Sequence, residues 1–165
     1  MNPPVKLLDL TNALDLPEEW GAWLDRQTGK VIELDPETLS AAEDAEDNDD
    51  FPADLVPDEE LWMAAKAIAA GDPRYVALPD AFDFHEYRHM ERFIQEITDP
   101  RIAEQLWRAI KGKGAFRHFK DTAHRLNLIN DWYRFRDEAA RQHMLRWAEV
   151  NGVTVDESPR IPDQA

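Results

Sequence analysis

Glu19-Trp20-Gly21-Ala22-Trp23-Leu24-Asp25, then Arg26-Gln27-Thr28-Gly29, then Lys30-Val31-Ile32-Glu33-Leu34, is the stretch that decides the fold class. Two short runs rich in aromatic and β-branched residues flank a turn that ends in glycine, which predicts a β-hairpin over 19–34. Arg74-Tyr75-Val76-Ala77-Leu78, stopped by Pro79, predicts an edge strand over 74–78 that joins it, since proline donates nothing to a ladder.

Around this small sheet the periodicity turns helical. Val5–Leu14 predicts a short helix, with Leu7, Leu8, Leu10 and Leu14 apolar. Asp35-Pro36 predicts a start, an acid at the cap with proline at the first helical position, and that helix runs to about Ala45. Asp58–Ala70 has an acidic first turn, an apolar face of Leu61, Trp62, Ala65, Ile68 and Ala69, and Gly71 as terminator. Beyond residue 80 the expectation is all helix. One runs from Asp83 to about Ile97 and another from Asp99-Pro100 to Ile110. Ala115–Asn127 follows, with Phe116, Phe119, Ala123 and Leu126 inward, and Asp131–Val150 closes the series. The expected class is α+β, a small antiparallel sheet covered by about six helices. One domain is expected over 1–155, with a mobile acidic loop near 43–57 and a disordered tail at 156–165. Six of the eight residues from Glu43 to Asp50 are acids, too few apolar groups to offset the entropy of ordering.

The charge of −15 over 165 residues is unevenly placed. Residues 1–72 hold 19 acids against four bases, whereas 101–146 hold 11 bases against five acids. So large a negative total opposes nonspecific binding to nucleic acid. A local basic patch escapes that repulsion, because salt screens charges beyond about 8 Å. The chain has no cysteine, which excludes disulfides, thiolate zinc and a cysteine nucleophile. No apolar run reaches the ~20 residues of a membrane span, so no membrane partner is expected. Met1-Asn2-Pro3-Pro4-Val5-Lys6 lacks the regions of a signal peptide, so the expected location is the cytoplasm.

His85-Glu86-Tyr87-Arg88-His89 matches the H-E-x-x-H pattern of zinc hydrolases, in which two histidines on one helix face hold the metal and the glutamate acts as base. No third ligand follows at a suitable spacing, and the inward stripe through Tyr87, Met90 and Ile94 turns His85 and His89 towards solvent. Two surface histidines are the simpler reading, and no metal or cofactor is implied. No nucleophile elbow, Walker loop or spaced acid pair accompanies it.

Lys111-Gly112-Lys113-Gly114 leading into Ala115-Phe116-Arg117-His118-Phe119-Lys120-Asp121 is the more informative segment. Lys111 suits a helix C-terminus, and the glycines permit the reversal. Lys113, Arg117, His118 and Lys120, however, crowd the start of the next helix, where the backbone is already electropositive. Each cation there costs roughly 0.3–1 kcal/mol, and an anion would offset the group. Trp132-Tyr133-Arg134-Phe135-Arg136 adds a second aromatic and basic cluster. The candidate anion site is therefore Lys111, Gly112, Lys113, Gly114, Arg117, Lys120, Arg134 and Arg136. Three fillers fit it: a phosphate-bearing ligand (an exposed nucleic-acid strand included), a carboxylate-bearing protein partner, or an acid of this same chain acting as an internal clasp, which is the simplest.

At these residues the chain resembles the uncharacterised protein family 0158, a group of bacterial proteins of unassigned activity. The resemblance is carried by Trp23-Leu24-Asp25 with Thr28-Gly29, Leu78-Pro79, His85-Glu86-Tyr87 with Met90-Glu91, and above all by 109–121 and 132–136. It extends over roughly Val5 to Val150 and implies no catalytic residue. It also implies an aliphatic residue in relatives where this chain has His89, which tells against zinc. The function expected is a non-enzymatic binding or regulatory module using the basic glycine turn. Single-stranded nucleic-acid association, with the acidic loop competing for the patch, is the first alternative, and a zinc hydrolase on His85, Glu86 and His89 is the second.

Overall fold

A computed structural model of the chain describes residues 2–46 and 51–158. The fold is α+β. Its described residues form two compact units, one drawn from 1–81 with 144–165, the other from 82–143.

In the first unit, β1 (Val5–Lys6) leads into α1 (Leu7–Asn12) and a 3-10 turn at Ala13–Asp15. The continuous helix expected from Val5 is thus replaced at its start by a strand. Val5 and Lys6 pair in parallel with Val155 and Asp156 of β5, and Val5 N donates to Thr154 O at 3.0 Å. The hairpin forms as expected, from β2 (Gly21–Asp25) and β3 (Val31–Leu34), with Trp23 opposite Ile32. β4 (Tyr75–Ala77) adds to the other edge of β2, antiparallel, with Trp23 opposite Ala77. The order is β3-β2-β4. Gly29 closes the hairpin at φ +74°, and a Cβ there would sit 2.8 Å from Pro4 O, so the turn demands glycine on both counts.

Two helices, α2 (Pro36–Asp44) and α3 (Glu59–Ala69), supply the apolar cover. Asp58 caps α3 by accepting from Leu61 N at 2.6 Å. Leu34, Ala42, Val56, Trp62 and Ala65 form the buried cluster, with Trp23 and Ile32 packed on it. Of the acidic run, Glu43 and Asp44 finish α2, residues 47–50 lie outside the described residues, and Val56 beyond them is buried.

The second unit holds α5 (Glu86–Gln95), α6 (Pro100–Ala109), α7 (Ala115–Arg125) and α8 (Ile129–Val150) up to His143, preceded by the short α4 (Ala81–Phe84). The long helix expected from Asp83 is interrupted: His85 takes a left-handed conformation between α4 and α5. Asp99 caps α6 by accepting from Arg101 N at 2.9 Å. Trp132 is fully buried at the centre of the core, 4.9 Å from the Phe119 ring and 5.6 Å from Phe93. Edge-to-face rings at these spacings are favourable beyond their burial. Tyr87 donates its hydroxyl to Ile110 O at 3.1 Å, tying α5 to the end of α6. Phe116, expected in this core, is instead 45 % exposed. The second half of the chain is helical through Val150, with β5 the exception. The expected tail begins inside β5 at Asp156, and its residues 159–165 lie outside the described residues.

Candidate anion-binding site

α6 closes with Ile110, whose backbone N–H bonds to Leu106 O, and Lys111 follows it into solvent. Gly112 and Gly114 both stand at positive φ, +82° and +73°, and reverse the chain within four residues. A Cβ at Gly114 would meet only the His118 imidazole at 3.7 Å, ordinary contact, so the requirement there is conformational rather than steric. Gly114 is the N-cap of α7 and no side chain caps that end. The first-turn amides are consequently left to solvent or to a ligand.

α7 divides into two faces at about 100° per residue. Ala115, Phe119 and Ala123 are buried in the aromatic core. Arg117, Lys120 and His124 are exposed on the opposite side, with Phe116 at the border between the faces. On the wheel Phe116 lies about 20° from the buried Ala123, at the edge of the stripe, so spacing alone does not mark it as half-exposed. Arg117 reaches Asp121 at 3.9 Å, but both side chains are largely in water, and such a pair contributes little. Among the described residues no carboxylate lies within ion-pair distance of Lys111, Lys113 or Lys120.

The remaining two candidate cations are placed differently. Arg134 pairs with Asp131 one turn back on α8, in solvent. Arg136 turns inward, donating from Nε to Glu86 Oε1 at 2.6 Å, with both side chains about four-fifths buried and its guanidinium 5.7 Å from the Phe84 ring. The eight sequence candidates therefore separate into a contiguous surface group (Lys111, Gly112, Lys113, Gly114, Arg117 and Lys120), a locally paired Arg134, and an internal Arg136.

The histidines of His85–His89 do not share a helical face, because His85 sits outside α5 at φ 57°, ψ 60°. His89 is not on a solvated side as expected. It is half-buried, stacked on Phe84 at 4.5 Å, and donates from Nε2 to Phe84 O at 3.2 Å. Glu86 is engaged by Arg136. Among the described residues no group of three His, Asp or Glu side chains is set to hold a metal ion. No helix among them is long and apolar enough to cross a membrane.

Away from this turn, a cleft of about 180 Å³ in the first unit is lined by Asn2, Pro3, Asp25, Arg26, Gly152 and Thr154, among others. Its carboxylate is already satisfied: Asp25 accepts from Gln27 N, Thr28 Oγ1 and the Arg74 guanidinium.

The model of the uncharacterised protein family UPF0158 matches residues 5–159. The chain belongs to UPF0158. A UPF0158 protein of Pseudomonas aeruginosa is 26 % identical over 147 residues, covering 88 % of this chain and 81 % of that relative. No solved structure matches the chain. The match spans both units and the whole glycine turn. Family membership carries no assigned activity.

Proposed function

We propose that this UPF0158 chain is a binding or regulatory module that takes an anion-bearing partner on the glycine turn and the outer face of α7. The observation that supports it most is the combination of three exposed lysines, Lys111, Lys113 and Lys120, with no carboxylate of the described chain paired to them, beside an uncapped helix end. An internal clasp is the simplest alternative; Glu86 fills that part for Arg136, whereas among the described residues no acid pairs with Lys111, Lys113 or Lys120. Like charges held at an electropositive backbone raise the energy of the free protein, and a bound anion lowers it. The overall charge of −15 does not cancel this, because screening confines each field to about a Debye length.

Titration calorimetry with inorganic polyphosphate and with polyglutamate tests the reading. The wild-type chain binds at least one of them at low salt, and Lys113→Glu/Arg117→Glu weakens that binding by at least about tenfold, or 1.4 kcal/mol. Both side chains point into solvent, so the melting temperature stays close to wild type. A double variant that melts far below wild type, with neither polyanion bound by either protein, would make the turn a structural clasp and overturn the proposal.

A further inference from the structure

We infer that the partner is a single-stranded nucleic acid, with its phosphates on Lys113, Arg117 and Lys120 and an unstacked base lying on Phe116. The inference rests on the anion-binding reading above and adds to it the chemistry of the ligand. Its starting point is Phe116, 45 % exposed on a helix whose neighbouring Ala115 and Phe119 are buried. On this helix Phe116 precedes Arg117 directly and lies one turn before Lys120, at a spacing of roughly 5–6 Å between Cβ atoms. An apolar ring kept half in water among cations has no function towards a carboxylate, which needs only charge. A free base offers both requirements at once, a π-face for the ring and a phosphate for the ammonium groups, and this pairing is how strands are bound without regard to sequence.

A duplex does not fit the same surface, because its base faces are hidden within the stack. The net charge points the same way. A chain at −15 repels a long polyanion except where the contact is short and local, and one helix face supplies few phosphate contacts. About three to four such contacts on a single strand correspond to a log–log salt slope of roughly −2 to −3.

The test is fluorescence anisotropy on the full chain with labelled oligo-dT and oligo-rU of about 15 nucleotides, titrated between about 50 and 200 mM salt. Polyphosphate and polyglutamate serve as competitors. The inference expects binding of at least one oligonucleotide with that salt slope. Phe116→Ala should weaken it roughly 5- to 150-fold, the loss of one stacked base, while polyphosphate affinity stays unchanged. Phe116→Trp should retain binding, and comparing the two oligonucleotides shows whether RNA or DNA is preferred. Equal affinity for the wild type and Phe116→Ala overturns the inference. So does polyphosphate or polyglutamate binding without oligonucleotide binding, in which case the anion-binding reading survives. A chain that binds none of these polymers at the lowest salt overturns both.

Discussion

Arg74 holds Asp25 by both carboxylate oxygens, Nε donating to Oδ1 and Nη2 to Oδ2, each at 2.8 Å, across 49 residues of sequence. The same carboxylate accepts from Gln27 N and Thr28 Oγ1, both at 2.9 Å. One buried side chain therefore closes the hairpin turn and fastens the end of β2 to the approach to β4. The Arg74 hydrogen bonds outweigh the opposing effect of burial and hold the Asp25 pKa at about 2, against an ordinary 3.8.

A depressed carboxylate contributes stability that is complete above its unfolded pKa and disappears as pH falls through the folded one. For Asp25 that window runs from 3.8 down to about 2. The shift corresponds to about 2 kcal/mol before allowance for Arg74, which is a third exposed and partly screened by solvent. Asp25→Asn is expected to lower the unfolding free energy by about 1–2 kcal/mol at neutral pH. It should also flatten the loss of stability across the acid window relative to wild type. Urea melts at pH 7 and near pH 2.5 measure both effects, and parallel pH profiles for the two proteins would show that the pair does not control acid stability.

Arg136 and Glu86 make the corresponding connection in the second unit, joining α8 to the first turn of α5. With both side chains about four-fifths buried, Arg136→Ala leaves the Glu86 carboxylate desolvated, at a cost of about 2–3 kcal/mol. A double-mutant cycle with Glu86→Gln should return a coupling above about 1 kcal/mol. Because Arg136 is occupied internally, Arg136→Lys is expected to leave polyanion affinity as in the wild type while lowering stability. A variant that keeps its stability but loses polyanion binding would place Arg136 in the binding surface after all.

Local signals account for what the sequence made legible. Asp58 and Asp99 cap the helices they precede, the hairpin closes at Gly29, and Trp62 and Ala65 of the expected α3 face are buried. Each of these depends on residues within a turn or two. The pairing of Val5 with Val155, the grip of Arg74 on Asp25 and the turn of Arg136 towards Glu86 join residues 49 or more apart, and no periodicity carries that information. The sequence places Arg136 among the surface cations for that reason, since nothing in Trp132-Tyr133-Arg134-Phe135-Arg136 distinguishes an arginine facing water from one facing a carboxylate. Phe116 shows the reverse error: its angle on α7 is close to that of buried Ala123, yet on the first turn of the helix its ring is 45 % exposed, which spacing does not reveal.

His85 carries the break between α4 and α5, at φ 57° and ψ 60°. A side chain in the left-handed region costs about 1–2 kcal/mol, and the surrounding packing has to offset it, here with Phe84 buried on one side of the break and Glu86 held by Arg136 on the other. His85→Gly removes the conformational cost but enlarges the freedom of the unfolded chain, so its stability should stay within about 1 kcal/mol of wild type. His85→Val, with a branched Cβ forced into the same region, should lose about 1–2 kcal/mol or more. Equilibrium urea melts separate the two substitutions. The same break removes His85 from the helical face of His89, so stoichiometric zinc is expected to leave the melting temperature unchanged. A zinc-dependent rise abolished by His85→Gly would mean that His85 and His89 do converge on a metal, since only a ligand bound to the folded state raises its stability in this way.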